Sequence, residues 1–168
     1  MTVEQQQAPR QTPPIAITTP SEREIRFERI FNAPRDLVWN AFTDPTLVAE
    51  WWGGGAQVEH MDIRPGGSWK FLGGHMPDGS KFVFEGEYIE VEPPKRLVQT
   101  YINGWMNNMK WLETMEFEDL GDRTRFIQTS TFDTAEQRDT VLPTVEQGAN
   151  FTFSRLDSVL KRLVGASS

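Results

Sequence analysis

No cysteine occurs in the 168 residues, which excludes disulfides, thiol nucleophiles and thiolate metal sites. Histidine is almost as scarce: His60 and His75 are the only two, too few for a multi-histidine metal site. No metal and no cofactor is therefore expected. Positive charge is thin as well. Lysine and arginine number 17 against 24 acidic residues, the net charge is −7, and no basic cluster offsets it. Such a field repels phosphate backbones and anionic lipid heads, so nucleic acid is not an expected partner. Apolar runs stop far short of the ~20 residues that span a bilayer, and no basic segment followed by an apolar one opens the chain. The expectation is a cytoplasmic protein without a membrane span. Ser-His-Asp order, a phosphate-cradling glycine loop and metal-ligand spacing are also missing. An enzyme reading thus lacks a nucleophile.

What the chain does have is large rings: 6 tryptophans and 11 phenylalanines against 2 tyrosines. That bias suits a core or a pocket built of big aromatic side chains, and the length suits one domain. The opening "MTVEQQQAPRQTPPIAITTP" is rich in Gln, Thr and Pro and lacks a periodic apolar pattern. Residues 1–21 are therefore expected to form a disordered tail, residues 22–164 the domain, and residues 165–168 a disordered end.

"EREIRFERIF" alternates as a half-buried strand does. "NAPRDLVWNAFTDP" then reads as a short helix, with Asn32 as a cap, Pro34 in the first turn and apolar pairs at i,i+4. Asp44 before Pro45 marks a second helix that stops in Gly53–Gly55, since glycine takes up left-handed backbone without strain. "RPGG", "MPDGS", "EPPK" and "LGDR" punctuate the next stretch into six alternating segments. With the first strand these make about seven, joined at hairpin length and hence antiparallel. After a capping pattern at Asp133 or Thr134 with Glu136 or Gln137, Pro143 is expected to separate a short helix from a long final one. Val145, Ala149, Phe153, Leu156, Leu160 and Leu163 form one stripe on that last helix, which must lie on the sheet.

"APRDLVWNAFTDPTLVAEWWG", "DIRPGGSWKF", "PDGSKFVFEGEYIEVEPPKRLV", "MEFEDLGDRTRF" and "EQGANFTFSRLDSVL" together resemble START-like (SRPBCC) domains. The type is the C-terminal domain of the heat-shock protein 90 ATPase activator, and the resemblance covers roughly residues 22–164. It implies an α+β helix-grip fold: a curved antiparallel sheet wrapped around the C-terminal helix, two short helices after the first strand, and a cavity between sheet and helix. The family hosts lipid carriers, polyketide cyclases and aromatases, hormone receptors and chaperone activators, so membership fixes fold better than function. The chaperone activator has a further N-terminal domain that engages the chaperone, and residues 1–21 are too few and too polar to supply one.

If the sheet curls around the last helix, Trp69, Phe71, Phe82, Phe84, Gly86, Trp111, Glu113, Met115, Phe117, Phe126, Gln128 and Phe132 share its inner face. They either fill the core or, opposite the small Gly148, Ala149 and Thr152, leave room for a ligand. Glu113 is the odd member, because a buried carboxylate needs a partner or a proton. A neighbouring side chain, a ligand or a one-residue register slip would each account for it. His60 can face either way, while His75 sits in a solvated turn. Asp62 and Arg64 read as a local brace. Trp51 and Trp52 stand about 100° apart on their helix, so one anchors it and the other, Trp52, borders the cavity mouth under the glycine loop. Trp39, Trp105, Met106 and Met109 complete the rim.

The leading expectation is a cavity for a small hydrophobic or aromatic molecule. It takes Trp39, Trp52, Trp69, Phe71, Phe82, Phe84, Trp105, Met109, Trp111, Glu113, Phe126, Gln128, Gly148, Ala149 and Thr152 as the binding set. Two alternatives stand beside it: a cyclase or aromatase with Glu113 or His60 as acid–base, and a protein-interaction module related to chaperone ATPase activation. A homodimer or a chaperone contact stays open.

Overall fold

Alternation along Glu24–Phe31 buries Ile25, Phe27, Arg29 and Phe31 on one side and gives β2, the first long strand. The computed structural model describes residues 15–167. Ahead of β2 lies a short edge strand, β1 (Ala16–Thr18), and after it two helices, α1 (Arg35–Thr43) and α2 (Pro45–Trp51). A meander follows: β3 (Gln57–Met61), β4 (Ser68–Gly73), β5 (Phe82–Glu92), β6 (Arg96–Asn103), β7 (Met109–Asp119) and β8 (Thr124–Thr131). The chain closes with α3 (Ala135–Ser167). All pairings are antiparallel, in the order β1-β2-β8-β7-β6-β5-β4-β3, so β2 joins the last strand of the meander and the sheet stays open. The α+β helix-grip architecture is thus present, with 8 strands rather than seven.

The added strand corrects the expected tail. Ile15 is buried and Ile17 packs partly on the core, an alternation that lets Ala16–Thr18 pair with Arg26–Glu28. The remainder of the tail, residues 1–14, lies outside the described residues. Three local corrections accompany it. The cap of α1 is Pro34, with no side-chain hydrogen bond, rather than Asn32. The segment after 164 stays helical through Ser167. Pro143 sits inside α3 instead of dividing it. A proline there forfeits a helical hydrogen bond and costs about 3 kcal/mol. Packing on both sides outweighs that cost, because Val141 precedes it and Phe153, Leu156, Val159 and Leu160 follow it into the core.

Other caps are as the residues suggest. Asp44 accepts from the Thr46 N–H at the start of α2, with Pro45 in the first helical position. Thr134 accepts from the Gln137 N–H at the start of α3, while the Gln137 side chain accepts from the Asp133 N–H. Asp62 and Arg64 do meet, at 2.9 Å.

One end of the space between sheet and helix is solid. Phe42 stacks on Phe126 with centroids 4.8 Å apart, and Phe31, Phe117 and Phe153 pack edge-on or tilted around them. Burying one such ring contributes roughly 1.5–3 kcal/mol. Helix α3 is pinned over this end by the buried Arg29, which pairs with Asp157, and to α2 by Arg155 and Arg162, which hold the Glu50 carbonyl and carboxylate.

Candidate functional site

Between Val141 and Phe153 no residue of α3 is fully buried. The helix continues over the sheet there, yet its facing side chains are Thr144, Val145, Gly148, Ala149 and Thr152, all short. Across from them, β4 to β6 carry Phe71, Phe82, Phe84 and Tyr101. Small residues opposite large rings leave a void of about 610 Å³. Gly148 lines this space and is exposed, and a Cβ there would meet nothing within 4 Å.

The tryptophan pair before the glycines divides its work: α2 ends at Trp51, and Trp52 is its C-cap with extended backbone, φ −63° and ψ 126°. Trp51 is 3 % exposed, packs on Phe42 at 4.9 Å and donates its indole N–H to the Ala41 carbonyl at 2.8 Å. It anchors α2 and also lines the cavity. Trp52 turns the other way, half-buried, with its ring 5.1 Å from Phe71 and 5.0 Å from Phe84. Gly53, Gly54 and Gly55 follow with φ of 58°, 86° and 111°, the left-handed backbone that carries the chain around the mouth into β3. Exposed Gly53, Gly74, His75 and Trp105 border that mouth.

At the floor lies Glu113, 7 % exposed. Register places Gln99 of β6 and Ser130 of β8 directly opposite it. Three N–H groups reach its carboxylate: Gln99 at 3.0 Å on Oε1, and Trp111 and Gln128 at 3.2 Å on Oε2. Among the described residues no lysine or arginine lines the cavity. Burial pushes the Glu113 pKa up to about 7, with the Trp111 and Gln99 hydrogen bonds pulling the other way. The same burial, reinforced by the Glu113 charge, holds the Tyr101 hydroxyl well above its ordinary range. Tyr101 stacks on Trp111 at 4.7 Å, so the carboxyl sits at the edge of an aromatic wall.

Of the residues expected at the site, Trp52, Phe71, Phe82, Phe84, Trp105, Trp111, Glu113, Gln128, Gly148, Ala149 and Thr152 line the cavity. Four do not. Trp39 packs edge-on against Phe117, and Phe126 lies in the phenylalanine cluster, both in the solid end. Trp69 spans Gly86 and donates to the Thr100 carbonyl, which seals the wall behind Phe71 and Tyr101. Met109 faces a separate groove with Trp105, Met106 and Gln137. His60 is also misplaced as an acid–base candidate: it is exposed on β3 and hydrogen-bonded to Ser68, away from the cavity. The residues not anticipated are mainly those of β6, Gln99, Tyr101 and Asn103, together with Phe27, Phe42, Ser130 and Val141.

A family model described as activator of Hsp90 ATPase homolog 1-like protein matches residues 32–161. The chain belongs to that family. Solved structures share the fold. A protein of Rhodobacter sphaeroides aligns with a TM-score of 0.78 at 24 % identity, covering 89 % of this chain and 99 % of the other. Protein Ms6760 of Mycobacterium smegmatis gives 0.76 at 23 %, covering 89 % and 99 %. CalU16 of Micromonospora echinospora gives 0.63 at 21 %, covering 90 % and 87 %. No curated protein matches the chain as a relative. Among the described residues no helix is long and apolar enough to cross a membrane.

Proposed function

We propose that the chain binds a small hydrophobic or aromatic molecule in the cavity between sheet and α3. The carrying observation is the stretch of α3 between Val141 and Phe153, whose short side chains stand over an aromatic wall and leave about 610 Å³. Sites for small ligands are commonly roughly 300–1,000 Å³, mostly apolar with a few placed polar groups. Membership of the family and the fold support a ligand-binding domain in general. Native mass spectrometry of freshly purified protein tests the reading together with calorimetric titration of naphthylethanol into wild type and Ala149→Trp. An extra mass that vanishes on denaturation, or binding that weakens at least tenfold in the filled variant, supports it. A bare mass with no binding of the probe would remove its basis.

A second reading is a cyclase- or aromatase-like enzyme with Glu113 as general acid–base. It is favoured by a buried carboxyl that faces the cavity and whose pKa of about 7 suits proton transfer near neutrality. In that case Glu113→Gln abolishes turnover while ligand affinity stays within a few-fold. Equal loss of both sends Glu113 back to a binding role.

A further inference from the structure

Glu113 brings the cavity a carboxyl whose ionised form, among the described residues, no lysine or arginine of the lining answers, so that a cationic ligand is what would draw off its proton. A carboxylate has about four acceptor positions. Gln99, Trp111 and Gln128 occupy three of them, one on Oε1 and two on Oε2, so Oε1 retains an acceptor position. Each glutamine that donates an N–H to Glu113 also keeps a side-chain carbonyl, which makes the floor rich in acceptors. Beside it stand the stacked rings of Tyr101 and Trp111 and the tilted ring of Trp52, 6.3 Å from Tyr101. Ring faces attract a cation, and more strongly when it is desolvated. An anionic ligand would meet the carboxylate with no counter-charge, and a purely apolar one would leave it unanswered.

From this arrangement we infer that the cavity selects an aromatic amine carrying a protonated nitrogen, its ammonium on Glu113 Oε1 and its ring against the aromatic wall. The inference deepens the proposed binding reading and rests on it. Acids of the same shape are rejected by the same carboxylate. The cavity lining agrees with this selection, because among the described residues it holds no lysine or arginine, the Arg155 guanidinium near Gly55 being held by the Glu50 carbonyl, and the chain as a whole carries −7.

The test is calorimetric titration with naphthylethylamine, naphthylethanol and naphthylacetic acid, which share a ring and differ in the end group, against wild type and Glu113→Gln. The expected result is an amine at least tenfold tighter than the alcohol and the acid in wild type. In Glu113→Gln that preference shrinks to about twofold, because the amine weakens far more than the alcohol. A wild-type measurement guards against a variant that fails to fold: carbon NMR of the side-chain carboxyls, in which the amine moves the Glu113 signal and the alcohol does not. Equal binding of all three probes, or tighter binding of the acid, overturns charge selection but leaves a ligand cavity in place. An amine preference that survives in Glu113→Gln, or a Glu113 signal that the bound amine leaves unmoved, removes Glu113 from recognition. Failure of every probe to bind overturns this inference and the binding reading together.

Discussion

Gln99 and Glu113 are register partners across β6 and β7, and the Gln99 amide donates to Glu113 Oε1 at 3.0 Å. The pair shows how the sheet tolerates an inward carboxyl. Three N–H donors favour the ionised form, but a site walled by aromatic rings favours the neutral one, and burial is the larger effect.

Stability should therefore fall with rising pH. A carboxyl raised from its ordinary 4.5 to about 7 holds its proton in the folded chain where the unfolded chain has lost it. Its contribution is fully present below the unfolded value and is lost as pH climbs through about 7. Each tenfold gain in proton affinity on folding is worth about 1.4 kcal/mol, which makes the whole effect on the order of 3 kcal/mol. Urea unfolding at about pH 5 and about pH 8 reads it, and Glu113→Gln is expected to flatten most of the change. A wild-type midpoint that holds steady across this interval would mean that the carboxyl ionises without hindrance.

The two tryptophans at the end of α2 should separate stability from binding. Trp51→Ala removes a buried ring and the hydrogen bond to the Ala41 carbonyl, and is expected to cost about 3–5 kcal/mol in chemical denaturation. Trp52→Ala deletes a half-buried wall of the cavity and should cost less than half of that, while weakening naphthylethanol binding several-fold. Similar losses of stability at the two positions would show that Trp52 is an anchor as well.

Much of this division was already written in the residues. Adjacent tryptophans on a helix cannot share one face, and glycines after them announce a turn. The alternation of Trp111, Glu113, Met115 and Phe117 likewise gave the right inner face for β7, all four being buried. What alternation does not carry is depth along the strand. Phe126 and Gln128 share a face, yet Phe126 falls under α1 in the phenylalanine cluster and Gln128 opens on the cavity. Strand β6 escaped because Leu97 and Val98 are both buried, which blurs the period that puts Gln99, Tyr101 and Asn103 on one side. Pro143 misled for a different reason: backbone propensity is local, and the packing that overrides it comes from the sheet.

Ion pairs should rank by burial. Asp157→Ala leaves the Arg29 guanidinium, 8 % exposed, without its carboxylate. Removing one partner of a fully buried pair costs about 3–5 kcal/mol, and the partial exposure of Asp157 brings the expected loss down to about 2–3 kcal/mol. Breaking the exposed Glu50–Arg162 pair by Arg162→Ala should cost far less, because solvent screens it. Thermal unfolding of the two variants checks the order, and the reverse ranking would show that Arg29 finds solvent or another partner once Asp157 is gone.

Two glycines should respond to alanine with opposite signs. At Gly86 a Cβ would lie 1.9 Å from the Thr100 carbonyl oxygen and 2.8 Å from the Trp69 indole nitrogen, so β5 and β6 would have to part and the seal made by Trp69 would open. The loss should reach several kcal/mol, as overpacking against backbone does. At Gly148, an exposed residue of the cavity lining, the added methyl meets nothing within 4 Å and sits in a helix interior where alanine is favoured over glycine by about 1 kcal/mol. Gly148→Ala should thus raise the unfolding midpoint while narrowing the void. If it instead lowers the midpoint, α3 is packed against the sheet at that point and the short-residue stretch does not stand over open space.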